Sequence, residues 1–256
     1  MQTKFALFIA TALAANGTLA ATPEWHALFN GKDLSGWTIK IAKRPLNENY
    51  ANTFRVEDGM IKVSYDGYPK FDQQFGHLYT NQPYSSYILR LEYRITGQAS
   101  ADAPHWAKLN SGVMIHSQSP LSMRVEQAFP VSMEFQFLAT GATAGKQTAN
   151  AVTPGTNLEL AGKVLTDHII DSKSKLFPLD EWVTAEIEVH GHEEVIHRIN
   201  GAEVLRYQHP QLDPQDADTQ RLLASGAPLK LSFGHIALQA EGQPIWFRNI
   251  RIRPLD

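Results

Sequence analysis

Val131-Ser132-Met133-Glu134-Phe135-Gln136-Phe137-Leu138 is a stretch in which apolar and polar side chains alternate one by one. Successive side chains of a β-strand point to opposite faces of a sheet, so this period of two predicts a strand with one core face and one polar face. The core face takes Val131, Met133, Phe135 and Phe137, and the polar face takes Ser132, Glu134 and Gln136.

Other short runs rich in β-branched and aromatic residues follow the same pattern, and long apolar stripes of helical period are missing. Asn200-Gly201 separates two of these runs and predicts a hairpin, because both residues tolerate the positive φ of a type I′ turn. The pattern predicts an all-β fold of two packed antiparallel sheets, a jelly-roll sandwich. The predicted strands are residues 53–64, 87–95, 111–117, 131–138, 182–190, 195–199, 204–207, 229–238 and 244–252.

The N-terminus carries the signature of a secretory signal peptide over residues 1–20. Lys4 precedes an apolar run over residues 5–15, and small residues stand before Ala21. The apolar run is about half of the roughly 20 residues that a membrane span needs, which favours cleavage over a retained anchor. We expect export across the inner membrane, a periplasmic location and a single sandwich domain over residues 21–256.

Composition excludes several classes of partner and chemistry. The formal net charge of the 256-residue chain is −3, and no basic stripe offers a site for nucleic acid or anionic lipid. The chain has no cysteine, which excludes disulfides and thiolate chemistry. Residues 139–181 break the strand pattern, and a connection of that length is expected to be either a functional lid or a simple insertion.

Two further strands carry polar alternation like that of residues 131–138. Asn110, Gly112, Met114 and His116 alternate with apolar residues, as do His235, Ala237, Gln239 and Glu241. Amides, carboxylates and imidazoles suit sugar hydroxyls, which both donate and accept hydrogen bonds. We therefore expect these faces to form one carbohydrate cleft, and the alternative is a set of ordinary solvated sheet faces.

The candidate carboxylates and histidines each have a competing interpretation. A two-carboxylate glycosidase would need a partner for Glu134, but Gln136 stands where sandwich-fold glucanases place one, which leaves Glu241 from another strand. His77 and His197 lie in strand-like runs, where a structural histidine is the commoner case. Metal-ligand spacing of the usual kinds is missing, so a divalent cation would need ligands from separate strands.

Several segments together resemble the 3-keto-disaccharide hydrolase domain family. Residues 28–37, Leu-Phe-Asn-Gly-Lys-Asp-Leu-Ser-Gly-Trp, look like its opening signature. The later segments agree in order: residues 56–59, 110–113, 134–136, 197–201, 234–242 and 247–250. The resemblance implies a concanavalin A-like sandwich of the lectin and glucanase type, export, and hydrolysis of glycosides that are oxidised at C3. Some relatives carry a cysteine pair in the long loop, where Val152 and Ile169 are expected to replace it by apolar contact.

A 3-ketone acidifies the hydrogen at C2, so a base can start an elimination that expels the C1 substituent before water adds. The base is expected to be His116 or Glu134, and a divalent cation is a second way to polarise the ketone. A non-catalytic carbohydrate-binding module would use the same cleft with Tyr79, Trp106 or Trp246 as stacking platforms. The candidate catalytic residues are His116, Glu134 and Gln136, and the candidate substrate-binding residues are His77, Asn110, His197, Gln239, Glu241 and Arg248.

Overall fold

The computed structural model describes residues 24–255, so the expected signal peptide lies outside the described residues. The described chain is almost entirely β-structure with one short helix, α1 (Ala217–Ala224). Its strands are, in chain order, β1 (His26–Ala27), β2 (Trp37–Ile41), β3 (Phe54–Glu57), β4 (Met60–Val63), β5 (Gly76–Thr80), β6 (Ser86–Ile95), β7 (Asn110–Ser117), β8 (Met133–Leu138), β9 (Ala151–Val152), β10 (Thr156–Leu160), β11 (Lys163–Leu165), β12 (Ile169–Ile170), β13 (Val183–His190), β14 (Glu194–Ile199), β15 (Ala202–Leu212), β16 (His235–Ala240) and β17 (Ile245–Pro254).

The strands form two antiparallel sheets that pack face to face, which confirms the predicted jelly-roll sandwich. The larger sheet has the order β11-β10-β15-β14-β13-β6-β17-β4-β3, with β1 added alongside β17. The smaller sheet has the order β12-β9-β8-β7-β16-β5-β2. Neighbouring strands such as β7 and β16 are far apart in sequence, so residues from distant segments reach the same sheet face.

The alternation in β8 is confirmed and divides the strand between two environments. Phe135 and Phe137 lie in the core between the sheets, where the ring of Phe137 stacks on Tyr93 of the larger sheet at 3.9 Å between centroids. Glu134 and Gln136 point to the outer face of the smaller sheet. That outer face carries a second, small apolar cluster of Tyr79, Met114 and Ala237.

Most predicted strands are present, with changes at their ends. The hairpin at Asn200-Gly201 is confirmed, with φ values of 49° and 84° at its two residues. The run 53–64 is a hairpin of β3 and β4, because Asp58 and Gly59 turn the chain with positive φ. Residues 229–234 are not strand. The short helix α1 was not predicted, and its clearest sequence signal is Asp216, whose side chain caps the N–H groups of Asp218 and Thr219.

Residues 139–181 contain four short strands rather than one open loop. β9 and β12 extend the edge of the smaller sheet, and β10 and β11 extend the edge of the larger one. Asn150 connects this segment to β8, because its Nδ2 donates to Oε1 of Gln136 at 3.0 Å.

The connection between β7 and β8, residues 118–132, crosses the outer face of the smaller sheet and is called the covering loop here. Val125 O accepts hydrogen bonds from Lys40 Nζ at 3.0 Å and from Lys43 N at 2.8 Å, which fixes the loop at the β2 edge. Tyr79 Oη donates to Met123 Sδ at 2.9 Å, and Arg124 forms an ion pair with Asp218 of α1. The covering loop therefore buries β2 and β5, and its Met123 also covers Met114 of β7 and Ala237 of β16. The part of this face that stays open lies beside the loop on β7, β8 and β16.

Within residues 24–255, no helix is both long and apolar enough to cross a membrane.

We predict that Phe137→Ala will lower the free energy of unfolding by about 3–5 kcal/mol, because it removes a fully buried ring that joins the two sheets. Urea unfolding measures the change. Val164→Ala in β11 is the matched control, since Val164 is 53% exposed and is expected to cost at most about 0.5 kcal/mol. Equal effects of the two substitutions would contradict the assignment of Phe137 to the core.

Candidate active site

A cleft of about 390 Å³ opens on the outer face of the smaller sheet, between the covering loop and the segment that contains β9 and β12. Its floor comes from three neighbouring strands, β8, β7 and β16, and the segment just after β16. The sequence-predicted residues that converge there are Asn110, Glu134, Gln136, Gln239 and Glu241, and Trp106, Phe129, Ala144, Val152, Pro154, His168 and Ile169 complete the lining.

The side chain of Glu134, from β8, lies over the neighbouring strand β7, and Gly112 of β7 leaves the space that it occupies. A Cβ atom built at Gly112 would stand 2.5 Å from Oε1 of Glu134, closer than any side chain allows. Gly112 pairs with Gln136 and Met114 pairs with Glu134 across the strands, so the carboxyl group leans over the neighbouring position toward β16. The glycine at 112 is therefore part of the geometry of the site.

Glu134 and Glu241 form a buried pair of carboxyl groups. Burial raises the pKa of Glu134 to about 8, and the nearby amide of Gln239 opposes that shift because it favours the charged form. Burial also raises the pKa of Glu241 well above its usual range, and the charge of Glu134 raises it further. Both shifts favour the protonated forms, and Glu241 is pushed that way by burial and by the charge of Glu134 together.

Amide groups surround the two carboxyl groups. Asn110 Nδ2 donates to Glu241 Oε1 at 3.0 Å and to the carbonyl oxygen of Trp106 at 3.1 Å. Gln136 accepts from Asn150 through Oε1, so its NH₂ group is the donor that it can offer to the cleft. Both amide atoms of Gln239 and Oδ1 of Asn110 are buried without a hydrogen-bond partner in the described chain. Buried polar atoms are rarely left unpaired, so the floor is suited to a ligand that both donates and accepts.

The two ends of the cleft are apolar. At the β16 and β5 end, Trp106 stacks on Phe75 with 5.7 Å between ring centroids, and Phe129 of the covering loop packs against Phe75 at 4.7 Å. At the other end Ile169 of β12 pairs with Val152 of β9. The pairing agrees with the apolar contact expected between Val152 and Ile169.

His116 does not reach the cleft, and the prediction that it shares a face with Asn110 and Gly112 is wrong. The ladder between β7 and β16 shifts register at this point, and His116 has a φ of 47°, as expected of a β-bulge. The bulge turns the imidazole away, and its Nε2 lies 2.9 Å from the carbonyl oxygen of Gly191 in the turn between β13 and β14. Burial lowers the pKa of His116 to about 4, so the ring is neutral.

His197 and Arg248 belong to the larger sheet and also lie outside the cleft. His197 is buried in the core, with Nδ1 2.9 Å from the carbonyl oxygen of Ala149 and its ring against Phe135. Arg248 donates from Nε to Glu92 Oε2 at 2.7 Å, and its guanidinium lies over Trp182. Alternation within a strand predicts which sheet face a residue lies on, but it does not predict which of the two sheets the strand joins. The prediction that His197 and Arg248 lie in the cleft is wrong for this reason.

His77 adjoins the floor but is covered. It pairs with Gln239 across β5 and β16, and Phe129 lies against its ring. Burial, and then the charge of Lys40, lowers the pKa of His77 to about 3, so this imidazole is neutral. Neither ring nitrogen has a hydrogen-bond partner among the described residues.

Sequence reasoning missed Phe129 and His168 of the lining, and Lys40, which fixes the covering loop. Phe129 and His168 lie outside the predicted strands, where no periodic pattern assigns a face. Lys40 was detectable, because Thr38 and Lys40 alternate with Ile39 and Ile41. Its Nζ is buried against the carbonyl oxygens of Ile41 and Val125, and burial lowers its pKa.

Among residues 24–255, no group of three or more Asp, Glu or His side chains is arranged to hold a metal ion. The divalent cation stays a prediction, and an activity assay with and without EDTA tests it.

The comparison with protein families settles the ancestry of this chain. A family described as the 3-keto-alpha-glucoside-1,2-lyase-like domain matches residues 24–253. The chain belongs to this family. Members of the 3-keto-alpha-glucoside-1,2-lyase-like family are expected to share the sandwich found here, and the match spans both sheets and every residue of the cleft. No curated protein sequence matches the chain.

Solved structures similar to this member of the family have the same fold at low sequence identity. A putative glycosyl hydrolase from Parabacteroides distasonis is 20% identical with a TM-score of 0.55, over 91% of this chain and 94% of that one. A carbohydrate-binding module from Bacillus subtilis is 10% identical with a TM-score of 0.51, over 85% and 95% of the two chains. A Bacillus subtilis protein of unknown function with a galectin-like fold is 10% identical with a TM-score of 0.56, over 90% and 94%. These neighbours show the fold alone, and the family description is what associates the chain with carbohydrates.

We predict that Glu134→Gln will raise the melting temperature at pH 8 and have a smaller effect at pH 5. The pKa of this carboxyl is about 8 when folded and near 4.5 when unfolded. Between these values the unfolded chain binds fewer protons, so wild-type stability falls as pH rises. Glutamine cannot ionise, so the variant does not lose this stability. For a protein of this size, a change of about 1 kcal/mol in the free energy of unfolding shifts the melting temperature by roughly 2–4 °C. Calorimetry across this range measures it, and a difference independent of pH would contradict the raised pKa.

Proposed function

We propose that this protein is an exported enzyme that cleaves the glycosidic bond of 3-keto-glycosides by elimination followed by hydration. The observation that carries the proposal is the buried pair of Glu134 and Glu241 within one amide-lined cleft. The family description supports it, since it names a 1,2-lyase that acts on a 3-keto-α-glucoside. Elimination across C1 and C2 is the first half of the proposed reaction.

The chemistry begins at C2 of the oxidised sugar. Glu134, as carboxylate, removes the proton from C2, and the electron pair of that bond moves onto the ketone to give an enolate at O3. The enolate then re-forms the ketone and a C1–C2 double bond while the C1–O bond breaks. The leaving oxygen takes a proton, and addition of water across the double bond completes a net hydrolysis.

The protonation states of the two carboxyl groups fit these two roles. A general base works best when its pKa lies near the working pH, as that of Glu134 does. Burial and the charge of Glu134 both favour the protonated form of Glu241, which is therefore the donor for the leaving oxygen. The amide groups of Gln136 and Gln239 can donate to the enolate oxygen, a role in which fixed dipoles stabilise developing charge. Oδ1 of Asn110 can accept from a sugar hydroxyl.

Two other functions remain in competition with this one. The same carboxyl pair would serve an ordinary glycosidase that acts on unoxidised sugars, where one carboxyl group is the acid and the other the base or nucleophile. The unpartnered amides and the exposed ring of Trp106 also suit a carbohydrate-binding module without catalysis. Substrate choice and turnover separate the three.

We expect purified protein to release free sugar from 3-keto-trehalose or 3-keto-lactose and to leave both unoxidised parents intact. Sugar analysis over several hours, with and without EDTA, measures this. Turnover of the unoxidised parents would favour the ordinary glycosidase. Binding of either sugar class without any product would favour the binding module.

Glu134→Gln is expected to lower kcat/KM on a 3-keto-glucoside by about 10²- to 10⁴-fold, the usual loss on removal of a general base. In the wild type, kcat/KM should rise from pH 6 to pH 8 as Glu134 ionises. His116→Asn is the matched control, because His116 contacts Gly191 outside the cleft and should leave kcat/KM within about 3-fold. A large loss in the control with no loss in Glu134→Gln would reverse the assignment of the base.

Gly112→Ala is expected to lower kcat/KM by about 10- to 100-fold, because the new methyl group displaces the Glu134 carboxyl group. Thermal melting of the variant separates this effect from loss of the fold. Full activity in a folded Gly112→Ala variant would show that the position of Glu134 does not matter to the reaction.

A further inference from the structure

The cleft has a direction, which follows from the order of its strands. The aromatic end, formed by Phe75, Trp106 and Phe129, lies on the β16 and β5 side, and the aliphatic end lies on β9 and β12. Three strand intervals separate β9 from β16, the outermost strands that line the cleft, about 14 Å at the usual spacing of 4.7–4.9 Å. A ligand of two rings fits this length better than a single sugar.

The two carboxyl groups are ordered along the same direction. Glu134 in β8 pairs with Val152 and so lies toward the aliphatic end. Glu241 follows β16 and shares Asn110 with Trp106, because Nδ2 of Asn110 donates to both the carboxyl group and the carbonyl oxygen of Trp106. If Glu134 acts at C2 and Glu241 protonates the leaving oxygen, the leaving group lies at the aromatic end.

The chemistry of the aromatic end determines what kind of leaving group it accepts. Trp106 is 44% exposed and is supported from behind by the nearly parallel ring of Phe75, so a flat apolar face is open to a ligand. Asn110 beside it donates from Nδ2 to Glu241 and to the carbonyl oxygen of Trp106, so only its Oδ1 is left for a ligand hydroxyl. A second sugar at this end would bring several hydroxyls to a wall with few partners for them, and each unpaired hydroxyl would cost affinity.

We propose that the aromatic end is an aglycone site and that the preferred substrates are 3-keto-glucosides of aromatic alcohols, whose ring stacks on Trp106. This inference rests on the function proposed above, and it adds the class of leaving group. Stacked aromatic rings gain free energy beyond the burial of their area, and the gain is lost when the wall is truncated. Trp106 is then the residue that determines specificity for the leaving group.

The test compares benzyl and methyl 3-keto-glucosides of the same anomer, because their leaving alcohols are of similar acidity and differ mainly in the ring. We expect kcat/KM to be at least about 10-fold higher for the benzyl substrate, the size of effect that extra apolar contact gives in a binding site. In Trp106→Ala the ratio should fall to near one, mainly through a higher KM for the benzyl substrate. Trp25→Ala is the matched control, because Trp25 lies against Arg90 on the larger sheet and should keep the wild-type ratio.

A second measurement needs no turnover and separates this inference from the proposed function. Calorimetry with unoxidised benzyl and methyl glucosides should give tighter binding of the benzyl compound to wild type and to Trp25→Ala, but not to Trp106→Ala. If neither keto-substrate is cleaved but this binding pattern holds, the aglycone site stands and the reaction is wrong. Equal kcat/KM for the two keto-substrates in the wild type would overturn the aglycone site. An equal loss of kcat/KM for both substrates in Trp106→Ala would also overturn it, because the indole would then stack on the sugar that both substrates share.

Discussion

Two carboxyl groups buried side by side cannot both remain charged at neutral pH, and this constraint determines the chemistry open to the protein. Glu134 of β8 and Glu241, the residue after β16, are each almost completely buried and lie about a hundred residues apart in the sequence. Low polarity and mutual repulsion act in the same direction, so the pair retains protons that exposed carboxyl groups would lose. A site of this kind can donate a proton and accept one within the same cleft.

The burial that creates this state comes from segments outside the main strands. The covering loop closes one side of the sheet face, and the segment with β9 and β12 closes the other. Buried polar groups hold both in place: Lys40 binds the carbonyl of Val125, and Asn150 binds Gln136. The sandwich supplies a rigid floor, and the connections between its strands exclude water from it. This burial raises the pKa values of the two carboxyl groups.

Alternation along the sequence predicted much of the cleft floor. In a strand with one buried face, odd and even positions point to opposite faces, so the core residues also identify the residues of the outer face. It placed Glu134, Gln136, Asn110 and Gln239 on outer faces, and the sheet brings them together. It failed for His116, because one extra residue in a bulge reverses parity and leaves no trace in the residue types. His197 and Arg248 lie in strands with equally clear patterns, but pairing between distant strands decides the sheet, and periodicity carries no information about that.

The covering loop also affects how this protein meets other copies of itself. A sheet with an open edge offers unpaired backbone groups to any neighbouring chain, which invites strand addition and aggregation. Here the backbone N–H of Lys43, just beyond β2, is bonded to Val125 of the loop, and at the opposite edge β12 is only two residues long. The segment that shapes the cleft therefore also helps to prevent the smaller sheet from growing through intermolecular pairing.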